Sequence, residues 1–125
     1  MRYTIPLYIL FFLCRNFISA AQELPPVLNF TPEQYNAENQ NWDIAQGEQA
    51  FIYVANNSGL LEYDGAKWNQ ETVDGRYAGY GGNSLAFDFQ GLPSIAYNSG
   101  DGNDYDLKFA KYDGSNWNLE TINAS

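Results

Sequence analysis

Arginine, tyrosine and glycine are concentrated in residues 74–83 (DGRYAGYGGN), the stretch of this sequence best suited to binding a ligand. A guanidinium group pairs with carboxylate or sulfate through two hydrogen bonds, and tyrosine rings offer contact area at a small cost in side-chain entropy. Arg76, Tyr77 and Tyr80 are therefore candidate ligand-binding residues for a sugar or an anion. In the alternative interpretation, the glycines shape a linker and the tyrosines fill an interface between structural units.

A second polar stretch, residues 101–106 (DGNDYD), is rich in acids. Oxygen ligands of the kind that Ca²⁺ prefers would come from Asp101, Asn103, Asp104 and Asp106. The stretch departs from the EF-hand loop, which needs glycine at its sixth position and glutamate at its twelfth. We therefore expect a solvated loop, with Asp104 and Tyr105 as candidate ligand-binding residues and with no metal site or cofactor.

The composition gives little support to catalysis. The chain has no histidine, so Ser–His–Asp and Cys–His arrangements are excluded, and its one cysteine is Cys14. Paired carboxylates can hydrolyse glycosides, but the sequence singles out no pair among its 15 acids. These 15 acids outnumber 6 basic residues, which disfavours binding to nucleic acid or to an anionic membrane surface. We expect a protein that is not an enzyme.

Residues 1–21 have the features of a signal peptide. Arg2 supplies a basic start, Ile5–Cys14 an apolar core, and Ser19–Ala21 the small residues that a signal peptidase recognises. A ten-residue helix spans roughly 15 Å, about half of the hydrocarbon layer, so this segment is too short to cross a membrane. We predict cleavage after Ala21 and export to the periplasm or the cell exterior, without membrane insertion of the mature chain.

The rest of the chain contains an internal repeat. Residues 63–73 (YDGAKWNQETV) match residues 112–122 (YDGSNWNLETI) at an offset of 49. Upstream, Gln46-Gly47 and Tyr53 match Gln90-Gly91 and Tyr97 at an offset of 44, which places a five-residue insertion within Asn98–Asp106. A period of 40 to 50 residues with several short strands in each copy is typical of propeller blades.

Alternating apolar residues and turn signals predict four strands in each copy. The predicted strands are Trp42–Gln46, Ala50–Ala55, Leu60–Tyr63 and Lys67–Val73, then Ser84–Phe89, Ser94–Tyr97, Asp106–Tyr112 and Asn116–Ile122. The Asp64-Gly65 and Asp113-Gly114 pairs are strong signals for tight hairpins. A helix start is indicated only weakly, at Thr31-Pro32-Glu33.

These strands predict an all-β fold with two four-stranded antiparallel propeller-type blades, which is a partial β-propeller. The expected organisation is a signal peptide (1–21), a lead-in segment (22–40), a first blade (41–73), a glycine-rich connection (74–83) and a second blade (84–125). Two blades do not close a ring, so the partners would be further blades in the same protein or identical chains. A sandwich of eight strands fits the length but leaves the repeat unexplained.

In a propeller, the strand 2 to strand 3 loops and the connections between blades share one face, which is the usual ligand surface. Here that face would be built from Ala55–Gly59, 74–83 and Asn98–Asp106, so Asn56 and Asn57 join the candidate ligand-binding residues. The repeated Tyr-Asp-Gly-x-x-Trp motif could present Trp68 and Trp117 to sugar rings. The structural interpretation is favoured, with Asp-Gly forming the hairpin and the tryptophan packing between blades.

Two stretches resemble known families. Residues 26–68 are similar to the start of the periplasmic sensor propellers of bacterial two-component regulators that have an adjoining triple-tyrosine domain. The matching pieces are Asn29-Phe30, Tyr35, Asn39–Trp42, Ile52–Asn57 and Gly59–Gly65. In the second copy, residues 84–88, 93–97 and 107–110 resemble a secreted bacterial surface-protein repeat.

The first resemblance implies a sensor-like segment that binds a carbohydrate or protein ligand outside the cytoplasm. The second hypothesis is a secreted lectin-like or adhesin module that forms an oligomeric propeller.

Overall fold

The computed structural model describes residues 24–75, 82–100 and 105–123. These residues form two four-stranded antiparallel sheets, each with its strands in sequential order. The all-β prediction and the grouping of the strands into two sets of four are therefore confirmed. The predicted signal peptide lies outside the described residues.

Each predicted strand has its counterpart in the structure. Sheet 1 consists of β1 (Asn41–Gln46), β2 (Ile52–Asn56), β3 (Gly59–Tyr63) and β4 (Trp68–Glu71). Sheet 2 consists of β5 (Ser84–Phe87), β6 (Pro93–Gly100), β7 (Tyr105–Tyr112) and β8 (Trp117–Asn123).

A single helical turn, α1 (Pro32–Tyr35), precedes sheet 1 where the weak helix signal lay. Proline at its first position is preorganised for a helix, and the side chain of Gln34 accepts a hydrogen bond from the Thr31 N–H (2.8 Å). Asn36 ends the turn in the left-handed conformation. The turn places Tyr35 against sheet 1, where the ring is buried.

The two Asp-Gly hairpins are built alike. Asp64 Oδ1 accepts hydrogen bonds from the N–H groups two and three residues ahead (both 2.8 Å), and Asp113 Oδ1 does the same (2.9 and 2.8 Å). Gly65 and Gly114 both have φ +96°, which a residue with a Cβ adopts only with strain. The predicted hairpins are confirmed.

The second hairpin of sheet 2 is longer than predicted. Asn98, Ser99 and Gly100 continue β6 and pair with β7 instead of forming a loop. Gln46 corresponds by register to Phe87 and Ile52 to Pro93, an offset of 41 residues. The upstream match at an offset of 44 was therefore wrong, and the second copy has eight extra residues, all in the β6–β7 hairpin.

At two other strand ends, a local turn makes the strand shorter than predicted. Residues Glu48–Ala50 form a 3₁₀ turn with left-handed backbone at Gln49 and Ala50, so β2 begins only at Ile52. At the end of β5, Asp88 Oδ1 accepts hydrogen bonds from the N–H groups two and four residues ahead (2.9 and 3.0 Å). This turn ends β5 at Phe87 and leaves Phe89, the last residue of the predicted strand, 96% exposed.

The register shows which faces of the two sheets are equivalent. In sheet 1, one face carries the row Ile44, Val54 and Leu61 together with Trp68. The equivalent face of sheet 2 carries Leu85, Ile95, Ala110 and Trp117. We call each of these faces the Trp face of its sheet. The opposite faces are called the Leu60 face in sheet 1 and the Phe109 face in sheet 2.

The sheets stack in the same orientation, because non-equivalent faces meet. The Leu60 face of sheet 1 packs on the Trp face of sheet 2. The buried core between them is formed by Ala55, Leu60, Leu85, Ile95, Tyr97 and Ala110. The Trp face of sheet 1 has a second core, in which Val54 and Leu61 pack against Tyr35 of the lead-in segment. Trp68 therefore packs on the lead-in segment, whereas Trp117 packs between the sheets as predicted.

The first strands of the two sheets are held together by a side chain. Asp43 in β1 accepts hydrogen bonds at Oδ2 from the backbone N–H of Leu85 (2.8 Å) and from Ser84 Oγ (3.5 Å) in β5. Farther out, the sheets leave a cleft of about 260 Å³ between β3–β4 and residues 91–93. The sheets are thus joined at their first strands and leave an open cleft beside β3 and β4 of sheet 1.

We expect Asp43→Ala to lower the free energy of unfolding by about 2 kcal/mol, because it leaves the partly buried N–H of Leu85 without its acceptor. Urea denaturation of the variant and the parent measures this. The control Glu120→Ala, at an exposed position of β8, should change it by less than about 0.5 kcal/mol. Equal effects of the two substitutions would contradict the role given to Asp43.

The turn aspartates also predict a pH dependence. Hydrogen bonds from the backbone N–H groups of Lys67 and Ala66 lower the pKa of Asp64, and bonds from the Asn118 side chain and the Asn116 N–H lower that of Asp113. A lowered pKa stabilises the fold above the ordinary carboxyl pKa, and that contribution is lost as the pH falls through the lowered value.

The double variant Asp64→Asn and Asp113→Asn keeps an acceptor oxygen in each turn but has no carboxylate to protonate. We expect it to lose less stability than the parent between pH 5 and pH 2, measured by urea denaturation at each pH. If the variant and the parent lose the same free energy of unfolding between pH 5 and pH 2, the two turn carboxylates do not contribute to the pH dependence of stability.

Candidate functional site

Three connecting segments meet at one edge of the stacked sheets, which we call the loop edge. They are the β2–β3 turn, the connection from β4 to β5, and the β6–β7 hairpin. One small enclosed space is lined by Asn56, Gly59, Val73, Asn83, Ile95 and Tyr97, which come from all three segments or the strands beside them. The structure therefore brings together the β2–β3 turn, the described ends of the 74–83 connection and the part of β6 that leads into the long hairpin.

Asn56 lies inside this edge and is only 1% exposed. Its Nδ2 donates to the backbone oxygen of Glu38 (2.7 Å) and to Asn41 Oδ1 (2.8 Å), and its Oδ1 accepts from the Ser58 N–H (2.8 Å). These bonds close the β2–β3 turn and attach the lead-in segment to sheet 1. The side chain thus has a structural position, unlike the surface position that was predicted.

Asn57 lies at the rim of the loop edge. Its Oδ1 accepts a hydrogen bond from Trp42 Nε1 (2.6 Å), and its Nδ2 donates to Gln40 Oε1 (3.1 Å). Its side chain is only partly buried. The sequence did not single out Trp42, and the structure places its indole beside the predicted ligand surface.

Glycine at position 59 allows the β2–β3 turn to approach the end of β4 closely. A Cβ at this position would lie 2.2 Å from the backbone oxygen of Glu71, and the φ of +128° is strained for any residue with a side chain. Glycine is therefore required here for both reasons. This close packing places the start of the 74–83 connection next to the β2–β3 turn.

A nearly buried ion pair anchors that connection to sheet 2. Asp74 Oδ2 lies 3.1 Å from Lys108 Nζ and accepts a hydrogen bond from the Tyr97 hydroxyl (2.9 Å). The side chains of Lys108 and Asp74 are 12% and 7% exposed. Burial and the Asp74 carboxylate raise the pKa of Tyr97, so its phenol stays protonated and remains a donor at neutral pH.

The other end of the connection is held at the same edge. Asn83 is buried, and its Oδ1 has no hydrogen-bond partner within residues 24–75, 82–100 and 105–123. Its neighbours around the enclosed space include Asn56 and Tyr97. Both ends of the segment that contains Arg76, Tyr77 and Tyr80 are therefore tied to the loop edge.

The remaining predicted site residues have different positions. Tyr105 begins β7 opposite Gly100 and is 40% exposed, so it lies at the tip of the long hairpin. Arg76, Tyr77, Tyr80 and Asp104 lie outside the described residues. The Asp101–Asp106 stretch is described only from Tyr105 onward, and the described part of the chain has no cluster of three or more possible metal ligands.

Two further concave surfaces lie along the sheets. In the cleft between the sheets, burial and hydrogen bonding to Glu62 raise the pKa of Tyr53 to about 12. A larger groove, of about 560 Å³, runs along the Trp face of sheet 1 beside the lead-in segment. Its walls are mainly apolar and aromatic, and they include Phe30, Ile44 and Trp68.

We expect Lys108→Met to lower the free energy of unfolding by about 3 kcal/mol, because Asp74 would lose its ammonium partner in a buried setting. The matched control is Lys111→Met, since Lys111 pairs with Asp88 at 3.4 Å and is 52% exposed. That pair should contribute less than about 1 kcal/mol. Chemical denaturation compares the two variants, and similar losses would contradict the anchoring role of Lys108.

Comparison of the chain with protein-family models, with curated proteins and with solved structures finds no match. Within the described residues, no helix has the length and apolar character needed to cross a bilayer.

Proposed function

We propose that this chain is a non-enzymatic, exported segment of a β-propeller that binds a carbohydrate or protein ligand outside the cytoplasm. In this proposal it has a sensor-like role, as the N-terminal part of a two-component regulator type protein. The observation that carries the proposal is the stacking of two equivalent sheets in the same orientation.

The propeller is supported by the way sheet 1 is buried. A two-sheet sandwich buries one face of each sheet and leaves the other to water. Sheet 1 instead has an apolar core on each side, with Leu60 on one face and Leu61 on the other. In a repeat protein each unit packs between two neighbours, and here sheet 2 is one neighbour while the lead-in segment occupies the place of the other. The convergence of β1 and β5 at Asp43 matches the radial arrangement of blades.

Ligand binding is supported by the loop edge. The edge holds both ends of the segment with Arg76, Tyr77 and Tyr80, and it places Asn57 and Tyr105 at its rim. Amide, phenol and guanidinium groups are suited to hydroxyl and acidic groups of a sugar. The excess of acids in the chain argues against a polyanion bound over a wide surface, so a short oligosaccharide is the better ligand class.

The structure provides a reporter for this surface. Trp42 donates its indole N–H to Asn57 at the loop edge, whereas Trp68 and Trp117 follow the two Asp-Gly hairpins at the opposite edge. A ligand that contacts Asn57 should therefore change the fluorescence of Trp42, which also lines the groove on the Trp face of sheet 1. Trp42→Phe should remove that signal.

Ligand binding is tested with residues 22–125 and three sets of oligosaccharides: one sulfated, one containing uronic acids and one neutral. We expect one set to bind with a dissociation constant below about 1 mM, measured by calorimetry and by tryptophan fluorescence. Arg76→Ala should weaken binding at least tenfold because it removes the only arginine predicted in the mature chain. The control Lys67→Ala, in the β3–β4 hairpin at the opposite edge, should leave the affinity unchanged.

Two outcomes would contradict ligand binding at the loop edge. One is the absence of binding by all three sets. The other is an equal loss of affinity in Arg76→Ala and Lys67→Ala.

A secreted lectin-like or adhesin module, in which several chains form the propeller, is a second candidate. The observation that favours it is the Phe109 face, on which Ala86, Ala96 and Phe109 stand where the Leu60 face has Ala45, Ala55 and Leu60.

A further inference from the structure

We infer that the enclosed space at the loop edge binds one water molecule, which donates a hydrogen bond to Asn83 Oδ1 and links the three segments that meet there. This water site goes beyond the proposed function, because it depends on the geometry of the loop edge and on no property of the ligand. It is supported by the burial of an acceptor, by the bonds that the neighbouring donors already make, and by the size and lining of the space.

The buried acceptor is the side-chain oxygen of Asn83. This residue is 8% exposed, and its Oδ1 has no hydrogen-bond partner within residues 24–75, 82–100 and 105–123. An amide oxygen that is removed from solvent and left unpaired loses its hydrogen bonds to water without compensation. Buried acceptors are for this reason nearly always paired with a protein group or with an ordered water molecule. A donor is therefore expected beside Asn83 Oδ1.

The side-chain donors that line the same space already make other bonds. Asn56 Nδ2 uses both of its hydrogens, for a backbone oxygen and for Asn41 Oδ1. The Tyr97 hydroxyl has one hydrogen, which it donates to Asp74 Oδ2. Neither side chain can also donate to Asn83 without breaking a bond that it makes in the structure. The donor for Asn83 Oδ1 therefore has to come from another group.

The size of the space fits the smallest such group. Its volume of about 10 Å³ is at the lower limit for one water molecule and is too small for a sugar ring. A bound water also needs at least two polar partners. Besides Asn83, the polar side chains that line the space are Asn56 and Tyr97, and the oxygen of each can accept a further hydrogen bond.

A water molecule in this space joins parts of the chain that are far apart in sequence. One of its hydrogens goes to Asn83 Oδ1, and the second goes to Asn56 Oδ1 or to the Tyr97 hydroxyl oxygen. Asn56 ends β2, Asn83 precedes β5, and Tyr97 belongs to β6. The water thus holds one end of the 74–83 connection, while the ion pair of Asp74 with Lys108 holds the other end.

The direct test is a high-resolution crystal structure of residues 22–125, in which ordered water molecules can be located. We expect a water about 2.6 to 3.2 Å from Asn83 Oδ1 and within the same range of Asn56 Oδ1 or of the Tyr97 hydroxyl oxygen. This test needs no variant, so it does not depend on how well a substituted chain folds. A protein group that donates to Asn83 Oδ1, or an Asn83 Oδ1 with no donor at all, would overturn the inference.

A second test counts long-lived water molecules in solution, by magnetic relaxation dispersion of the water signal. Asn83→Leu keeps the branched shape of the side chain, fills part of the space and removes the acceptor. We expect this variant to hold one long-lived water fewer than the parent. The matched control is Asn69→Leu, at an exposed position of β4 near the opposite edge, and it should hold as many as the parent.

Equal numbers of long-lived waters in the parent and in Asn83→Leu would contradict the water site, and so would a loss in Asn69→Leu. Both measurements are made without sugar, so their results do not depend on ligand binding. If all three sets of oligosaccharides fail to bind, the water should still be found. If the water is not found although a sugar binds, the inference fails and the proposed function stands.

Discussion

Sheet 1 has to bury apolar side chains on both of its faces, and this constraint governs the rest of the structure. Leu60 and Leu61 are adjacent in β3 and point to opposite sides, yet both are almost completely buried. One side is covered by sheet 2 and the other by the lead-in segment. A sheet with two apolar faces needs a cover on each side, and here the covers are a second sheet and a short segment that precedes the first strand.

The same packing sets the positions of the polar groups. Stacking the sheets in one orientation brings their first strands together, and Asp43 then satisfies the backbone of β5. It also gathers the β2–β3 turn, the connection between the sheets and the long hairpin at one edge. Asp74 enters this edge as a nearly buried carboxylate, and Tyr97 and Lys108 supply the donors that make its burial tolerable.

Most of the local structure could be predicted from the sequence, because short-range chemistry determines it. The two Asp-Gly pairs require tight hairpins, and the alternating apolar residues between turns require strands. The upstream repeat match failed because similar residue types, such as Tyr53 and Tyr97, occur on faces that are not equivalent. Hydrogen-bond register, which decides the true correspondence, depends on partners that are distant in the chain.

The amino-acid sequence alone determined the strands and the hairpin turns, since each depends on neighbours within a few residues, and the match of residues 63–73 to 112–122 showed the two copies. Only the tertiary structure decided which faces meet, that Asn56 is interior, and that Tyr97 and Lys108 converge on Asp74. These contacts join residues 23 and 34 positions apart, on segments whose approach is set by sheet packing. No local sequence pattern encodes how closely these segments approach each other, because their positions are set when the apolar faces of the two sheets pack together and exclude water.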